Sequence, residues 1–413
     1  MNFFLRRLTP VVGLFFSLSL LGCATYQNKV TGAREALARR DFQAAITELK
    51  PLANQANGDQ LVYLLDYGVA LQLAGQYKES NDVFLQADRL AEQIDYHSVS
   101  RIAGSLALNE EMVQYKGDTF EKIFINAYLA MNFLEMGKLD DALVEARRIN
   151  EKFLKYRADE KKAFELNSFS KYLSAVTWEA SRNYDDAYIA YNEAYKIDST
   201  ITTIREDLIR SAKLARRMDA YQDWKKKFPE VVEDSSWYDK TRGELIVIYQ
   251  QGWGPRKAPG PGEYRFPTLV PVYSETQQAR LNVSSKSYLS REVYDVQNAA
   301  IATLMDDQGI LVAKRVAGIA TKAVLSDQLR QKNELLGSLA WIAMNVADRA
   351  DVRQWSTLPQ TIQIIRVPLA PGKYLATVEG LNMSGTPTGE SSEERTVEIK
   401  SGQKKFIVWR SLK

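Results

Sequence analysis

Small and large side chains recur at fixed helical spacings over residues 170–199, which read SKYLSAVTWEASRNYDDAYIAYNEAYKIDS. Four of them share one face of a helix, because they stand at i, i+3, i+7 and i+10: Tyr184, Ala187, Tyr191 and Ala194. The preceding turns carry Ala175 and Trp178, and Asn183 is placed to cap the second helix. Small residues let two antiparallel helices approach closely, and large residues fill the space beside them. The segment therefore predicts a helical hairpin.

The same template recurs earlier in the chain, in residues 64–90 and 127–146 and, more weakly, in residues 33–49. The matching positions are Gly68, Leu71, Tyr77, Ser80, Phe84 and Ala87, then Ala130, Phe133, Leu139 and Ala142, and finally Ala33, Ala36, Phe42 and Ala45. This signature resembles that of the tetratricopeptide repeat (TPR). The resemblance implies stacked helix hairpins over residues 33–228, with a concave face, lined by the first helices, that binds protein partners. The aligned positions are unevenly spaced, so we expect insertions between hairpins, and a generic helical bundle is the alternative.

From Gly243 the pattern changes to alternating β-branched residues with proline and glycine punctuation. The predicted elements are strands at 244–252, 279–285 and 309–316, a long helical segment at 323–350, and β-hairpins at 360–380 and 395–411. We expect residues 229–278 to be a strand and a Pro/Gly-rich linker. Residues 279–413 should form an α+β domain with antiparallel strands, packed like a sandwich. The predicted fold class is multidomain, with all-α repeats followed by this α+β domain.

The first 22 residues have the layout of a secretory signal peptide. Arg6 and Arg7 precede roughly a dozen mostly apolar residues, which is short for a permanent span of about 20 residues. The run ends in LLGC, and Gly22-Cys23 closes it. This tetrapeptide resembles the lipobox of bacterial lipoproteins. The resemblance implies cleavage before Cys23, a diacylglycerol on its thiol, and an amide-linked acyl chain such as palmitate.

Cys23 is the only cysteine of the chain, so it has no partner for an internal disulfide. A lipid anchor explains both its position and its isolation, and residues 23–32 would then be a short tether. Ala24 follows the cysteine, and in enterobacterial lipoproteins the absence of Asp there favours the outer membrane over the inner one. We expect a periplasm-facing, lipid-anchored protein.

Two further stretches resemble a group of Gram-negative envelope lipoproteins with TPR-like N-terminal halves. They are GWGPRK (252–257) and ADRADVRQWSTLPQTIQIIRVPLAPGKY (347–374). Relatives in that group accompany lipoproteins that regulate peptidoglycan synthases. The resemblance implies a protein-binding scaffold in envelope assembly. A carboxylate-based cell-wall enzyme and a structural subunit of a secretion or surface-fibre complex are the alternatives.

Most catalytic and metal chemistry is disfavoured by residue counts. The single histidine, His97, has no motif around it, and Cys/His zinc sites need more ligands than the chain has. Ser168 and Lys171 match S-x-x-K but lack the companion motifs of penicillin-binding enzymes. We therefore predict no enzyme activity, no metal and no cofactor beyond the lipid.

The charge of the chain bears on its partners. Its formal net charge of +3 falls to about +1 when the two signal-peptide arginines are removed, which does not favour nucleic-acid binding. In the glycine-rich GWGPRK loop, Arg256 and Lys257 are candidate contacts for an anionic partner, with a solvated loop as the alternative.

Substituting Cys23→Ser should release the protein from the membrane fraction, because the acyl chains have no other attachment point. The variant should also retain its signal peptide. Fractionation and intact-mass measurement check both outcomes. A serine variant that stays membrane-bound with a processed N-terminus would contradict the lipoprotein assignment.

Overall fold

A computed structural model describes residues 26–98, 114–159, 161–260, 266–307 and 350–413. Up to residue 228 its helices form consecutive antiparallel hairpins. They are α1 (Tyr26–Ala38) with α2 (Phe42–Ala53), α3 (Gln60–Leu73) with α4 (Tyr77–Ser98), α5 (Thr119–Glu135) with α6 (Leu139–Ala158), α7 (Ser168–Ala180) with α8 (Tyr184–Ile197), and α9 (Ile204–Leu214) with α10 (Met218–Lys227). The prediction of TPR-like helix hairpins in the N-terminal half is confirmed.

Each hairpin turns at one residue in the left-handed region of backbone conformation. These residues and their φ angles are Arg40 (61°), Gly75 (73°), Gly137 (72°), Arg182 (64°) and Arg216 (58°). The next amide donates back to a carbonyl of the first helix, as in the bond from the Gln76 amide to the Leu71 carbonyl at 2.9 Å. This geometry is a Schellman motif, in which glycine is favoured because it has no Cβ. The arginines show that the hairpin geometry overrides that preference in three repeats.

The predicted repeat positions fall into two groups. Those in the middle of the hairpins are buried: Gly68, Leu71, Ser80, Phe84, Ala87, Ala130, Ala142, Ala175, Ala187, Tyr191 and Ala194. Those beside the turns are half-buried: Tyr77, Phe133, Leu139, Trp178 and Tyr184. At Gly68 a Cβ atom would lie 2.7 Å from the Phe84 ring, so the small residue is needed for the two helices to meet.

The first helix begins earlier than the sequence pattern predicts. Residues 23–32 are predicted to be a tether, yet α1 starts at Tyr26 and buries both Tyr26 and Val30. The Tyr26 hydroxyl donates to the Asp66 carboxylate at 2.5 Å, and the side-chain amide of Gln27 donates to the backbone carbonyl of Val352 at 2.9 Å. These long-range bonds fix the first turn, which no local pattern reveals. Gly22, Cys23 and the signal peptide lie outside the described residues.

The second half of the chain is built mainly from strands. They are β1 (Gly243–Gln251), β2 (Arg256–Pro259), β3 (Pro267–Val270), β4 (Gln278–Val283), β5 (Lys286–Leu289), β6 (Arg291–Asp295), β7 (Thr361–Leu369), β8 (Gly372–Leu381), β9 (Pro387–Ser391), β10 (Arg395–Ile399) and β11 (Lys404–Arg410). Residues 296–307 are helical. The predicted strand at 309–316 and most of the predicted helical segment at 323–350 lie outside the described residues.

Two sheets face each other, and β2 and β3 form a separate ribbon. The inner sheet has the strand order β11-β1-β7-β6, and the outer sheet has the order β10-β8-β4-β5, with β9 also paired to β8. All pairings are antiparallel except that of β1 with β11, which is parallel. The second half is therefore a sandwich rich in antiparallel strands.

Two predicted β-hairpins are wrong. Strand β7 pairs with β1 and β6 in the inner sheet, while β8, its successor, pairs with β4 and β10 in the outer sheet. Likewise β10 belongs to the outer sheet and β11 to the inner one. The short turns between them carry the chain from one sheet to the other. Alternating hydrophobicity shows which side chains face the core, but it does not show which strand is the neighbour.

The predicted division of this half also needs correction. Residues 229–278 are predicted to be a strand and linker ahead of an independent domain, yet β1 lies in the interior of the inner sheet, between β11 and β7. Its odd-numbered residues Leu245, Val247 and Tyr249 face the outer sheet, and Ile246 and Ile248 join the core shared with the helices. The architecture is therefore three layers, with the helices on the inner sheet and the inner sheet on the outer sheet.

Trp355→Ala should lower the free energy of unfolding by about 3–5 kcal/mol, because a buried indole is lost and a cavity remains. The Trp355 side chain is 2% exposed, and its ring lies 5.1 Å from that of Tyr128. Denaturant unfolding followed by circular dichroism measures the change. Tyr273→Ala, at an 86% exposed side chain, is the control and should change stability by less than about 0.5 kcal/mol. Equal losses in the two variants would contradict the shared core.

Candidate binding cleft

The first helices of the repeats, which line the concave face, are covered by the inner sheet and by residues 350–360, which precede β7. Gln250 of β1 donates from its side chain to Gln72 of α3 at 3.0 Å and accepts from the Tyr128 hydroxyl of α5 at 3.0 Å. Asp66 of α3 accepts two bonds from Thr357, from its amide at 3.1 Å and its hydroxyl at 2.9 Å. The hydrophobic core runs without interruption from α1 to Leu412. The concave face is therefore occupied by the chain itself.

Six charged side chains meet where the last repeats contact the inner sheet. We call them the ion cluster: Glu179 of α7, Asp207 and Arg210 of α9, Glu244 of β1, Arg366 of β7 and Lys404 of β11. Arg366 forms ion pairs with Glu179 at 3.1 Å and with Glu244 at 2.8 Å. Lys404 forms ion pairs with the same two carboxylates. The ion cluster has three acidic and three basic side chains, so it carries no net charge. It joins five elements of the fold.

Tyrosine hydroxyls complete the hydrogen bonding of the ion cluster. The Tyr191 hydroxyl donates to Glu179 at 2.7 Å, and the Tyr172 hydroxyl donates to Asp207 at 2.8 Å. Glu179 accepts from Arg210 through both carboxylate oxygens, each at 3.1 Å. A buried charge is tolerated when it is paired and its remaining hydrogen-bonding capacity is used, which is the situation here.

The ion cluster holds two of its carboxyl groups ionised. Burial alone would raise the pKa of Glu179, but Arg210, Arg366 and Lys404 outweigh it and hold that pKa well below the usual range. Burial likewise opposes ionisation of Glu244, and Arg366 and Lys404 lower its pKa to about 2. A general acid needs a pKa near the working pH. Glu179 and Glu244 are therefore suited to fastening the two halves together and unsuited to donating a proton.

A cleft of about 540 Å³ opens beside the ion cluster. Its walls come from α7, α9, the 3₁₀ turn Ser235–Tyr238, β5 and β7, together with the starts of α8, β1, β6 and β11. Four aromatic side chains line it: Tyr184, Trp237, Tyr238 and Tyr288. This volume lies in the usual range for ligand sites, about 300–1,000 Å³. The cleft has the size and the polar lining of a binding site.

Ser236 lies in the wall of this cleft, and its backbone amide donates to the Asp234 carboxylate at 2.8 Å. In the part of the chain that the structure describes, no group of three or more His, Cys, Asp or Glu side chains is placed where it could hold a metal ion.

No helix within the described ranges is long and apolar enough to cross a bilayer.

The predicted contacts for an anionic partner lie elsewhere. Arg256 donates through Nε to the Gln27 side chain at 3.0 Å, which ties β2 to α1. The Lys257 ammonium is 16% exposed and lies 3.8 Å from the Asp118 carboxylate. Both side chains contact other elements of the fold, because the GWGPRK segment packs against the repeats. Arg256 is also exposed to solvent, so its contact with an anionic partner stays a prediction.

Sequence reasoning did not identify the ion cluster. Its members are spread from α7 to β11, so spacing along the chain carries no sign of their meeting. One signal was available, since Arg366 is the single charged residue in the mostly apolar segment TIQIIRVPL. A charge at a buried position of such a strand needs a partner across the interface.

Arg366→Met should lower the free energy of unfolding by about 3–5 kcal/mol, because Glu179, Asp207 and Glu244 would keep their charges with too few cations. Methionine keeps much of the side-chain volume. The matched control is Arg280→Met, which breaks the partly exposed pair of Arg280 with Glu379 and should cost far less, because solvent screens that pair. Denaturant titration at pH 7 measures both. A loss for Arg366→Met no larger than for Arg280→Met would contradict the fastening role.

Acid should remove the same stabilisation from the wild type. The folded-state pKa of Glu244 is about 2, below its ordinary value of 4.5, so its contribution is present above pH 4.5 and is lost as the pH falls towards 2. In Arg366→Met the main cation that lowers this pKa is gone, so stability should depend less steeply on pH in that window. Identical slopes for the two proteins would exclude Arg366 as the cause.

Comparison with known proteins finds no matching family model and no similar curated protein. Among solved structures, MamA from Desulfovibrio magneticus RS-1 aligns with a TM-score of 0.31 and 16% identity, over 48% of this chain and 88% of that one. Nearly identical TPR-like repeats from Podosopora anserina align with a TM-score of 0.34 and 12% identity, over 49% and 93%. A tetratricopeptide repeat protein from Parabacteroides merdae aligns with a TM-score of 0.23 and 13% identity, over 51% and 82%. These scores are low, and the assignment of helix hairpins depends on the geometry described above.

Proposed function

We propose that this chain is a lipid-anchored binding protein of the bacterial envelope, with no catalytic role of its own. The lipobox-like sequence before Cys23 supports the anchor, and the TPR-like hairpins support protein binding. Because α1 begins at Tyr26, the chain from Cys23 to the folded body spans at most about 10 Å, at about 3.5 Å per extended residue. The body would therefore work close to the periplasmic side of the outer membrane, in envelope assembly or in the regulation of peptidoglycan synthesis.

The covered concave face decides which surface of the repeats a partner can reach. The sequence predicts partner binding on the concave face, but that surface is filled by Gln250 and the ion cluster of the inner sheet and by Trp355, which precedes β7. An incoming protein would have to displace a continuous hydrophobic core. The repeat surface available to a partner is therefore the outer one, formed by the second helix of each hairpin.

Exposed apolar residues on that outer surface favour a protein partner. Val144 on α6 is 43% exposed and Ile189 on α8 is 40% exposed. Each follows the left-handed residue of its hairpin, Gly137 or Arg182, by seven positions, so the two occupy the same place in neighbouring repeats. Leu154 on α6 is also exposed, at 60%. Apolar side chains at matching positions of adjacent repeats are suited to a partner that lies across both.

In-cell cross-linking tests the proposal. A photo-reactive residue at position 189 should yield covalent adducts with a protein partner, because this side chain is exposed on the outer repeat surface. The same residue at position 375, on the outer sheet and 59% exposed, is the matched control and should yield none. Adding Cys23→Ser should abolish the adduct by releasing the protein from the membrane. Absence of an adduct at position 189, or equal adducts at both positions, would overturn the assignment of this surface.

A further inference from the structure

We propose that the cleft beside the ion cluster binds a saccharide that carries a carboxylate. The inference deepens the proposed function, since it depends on a binding role for the folded body and names the ligand class of one of its sites. The ligand class follows from which polar groups on the cleft wall are already hydrogen-bonded within the protein and which remain free for a ligand.

The carboxylates on the wall are all engaged. Glu179, Asp207 and Glu244 belong to the ion cluster, and Glu206 accepts from Arg291 through both oxygens, at 2.9 Å and 2.6 Å. Asp239 accepts from the amide of Thr241 at 2.9 Å and from its hydroxyl at 2.6 Å. The wall therefore has few side-chain acceptors left for a ligand.

The groups that remain free can all donate, and the indole and the cationic side chains among them cannot accept. Within the described residues, no hydrogen bond engages the Trp237 indole N–H, the hydroxyls of Tyr184 and Tyr288, or the Lys240 ammonium. Arg242 keeps capacity as well, because its contact with Asp239 is 3.5 Å long and exposed. A ligand for this cleft must be rich in acceptors, and Lys240 and Arg242 favour one that carries negative charge.

This inventory favours a saccharide over a peptide. A peptide backbone brings an N–H donor with almost every carbonyl, and those donors would find few free acceptors here. A sugar hydroxyl can rotate and accept from each of the free donors. Peptide recognition also relies on apolar side-chain pockets or sheet edges, whereas the rings of Tyr184 and Tyr288 and the face of Trp237 opposite Arg210 give flat apolar surfaces beside polar atoms. Such surfaces match the two faces of a pyranose ring.

Calorimetric titration of the full-length protein in detergent tests the inference. The probe is the disaccharide of N-acetylglucosamine and N-acetylmuramic acid, whose lactyl group supplies the carboxylate, and N,N′-diacetylchitobiose is its neutral counterpart. The acidic disaccharide should bind about tenfold more tightly than the neutral one, as expected for one charge-assisted hydrogen bond. Lys240→Ala should weaken its binding about tenfold for the same reason.

Trp237→Ala should weaken both sugars, because it removes a ring and an N–H donor. Lys50→Ala, at an exposed lysine on α2 remote from the cleft, is the matched control and should leave affinity unchanged. Circular dichroism confirms that each variant is folded. No heat with the acidic disaccharide, or binding that is insensitive to both cleft variants, would overturn the inference. Tetraglutamate binding that depends on Lys240 would overturn it in favour of an acidic peptide. Any of these failures leaves the cross-link at position 189 unaffected, so the proposed function is tested separately.

Discussion

Strand β1 has no solvent-facing side, and the arrangement of the other layers follows from this. Its residues are buried on both faces apart from Glu244, so alternate side chains have to satisfy two different cores. One set faces the outer sheet and includes Tyr249, whose ring stacks on that of Trp409 from the neighbouring strand β11 at 5.2 Å, and both rings lie in the core between the two sheets. The other set meets the helices through Ile246, Ile248 and Gln250. Because one strand serves both interfaces, the repeats and the sandwich are parts of a single folded body.

The ion cluster gives the interface between the two halves a defined alignment. Apolar surfaces alone tolerate small shifts, but Arg366 has to reach Glu179, Asp207 and Glu244 together. Few relative positions of α7, α9 and the inner sheet satisfy all of these distances. The desolvation of so many charges is offset only when every partner is in place. The cleft lies directly beside the ion cluster, so the same ion pairs hold the cleft walls in position.

The helical half could be read from the sequence because its contacts are local. Small and large residues such as Ala187 and Tyr191 lie a few positions apart, and they pack within one hairpin or against the next. The strand pairing of the second half could not be predicted from such local patterns. Neighbours such as β1 and β11 are about 160 residues apart along the chain, and alternation in β7 or β10 fits several partners equally well. The arginines at the hairpin turns were missed for a different reason, since a left-handed residue is recognised in a sequence only when it is glycine or asparagine.

The pairing of β11 makes the packing of the two halves depend on residues that are distant in the sequence. This last strand pairs with β1, and the amide of Val408 donates to Glu135 of α5 at 2.5 Å, so it completes the inner sheet and covers part of the helical half. Leu412 donates its amide to Glu390 at 2.8 Å just beyond it. These contacts join residues that are far apart along the chain, so the loop-closure entropy between them has to be overcome before the contacts add stability. The packing of the helical half against this edge of the inner sheet is therefore a slow step of folding, whereas each hairpin can form from local contacts.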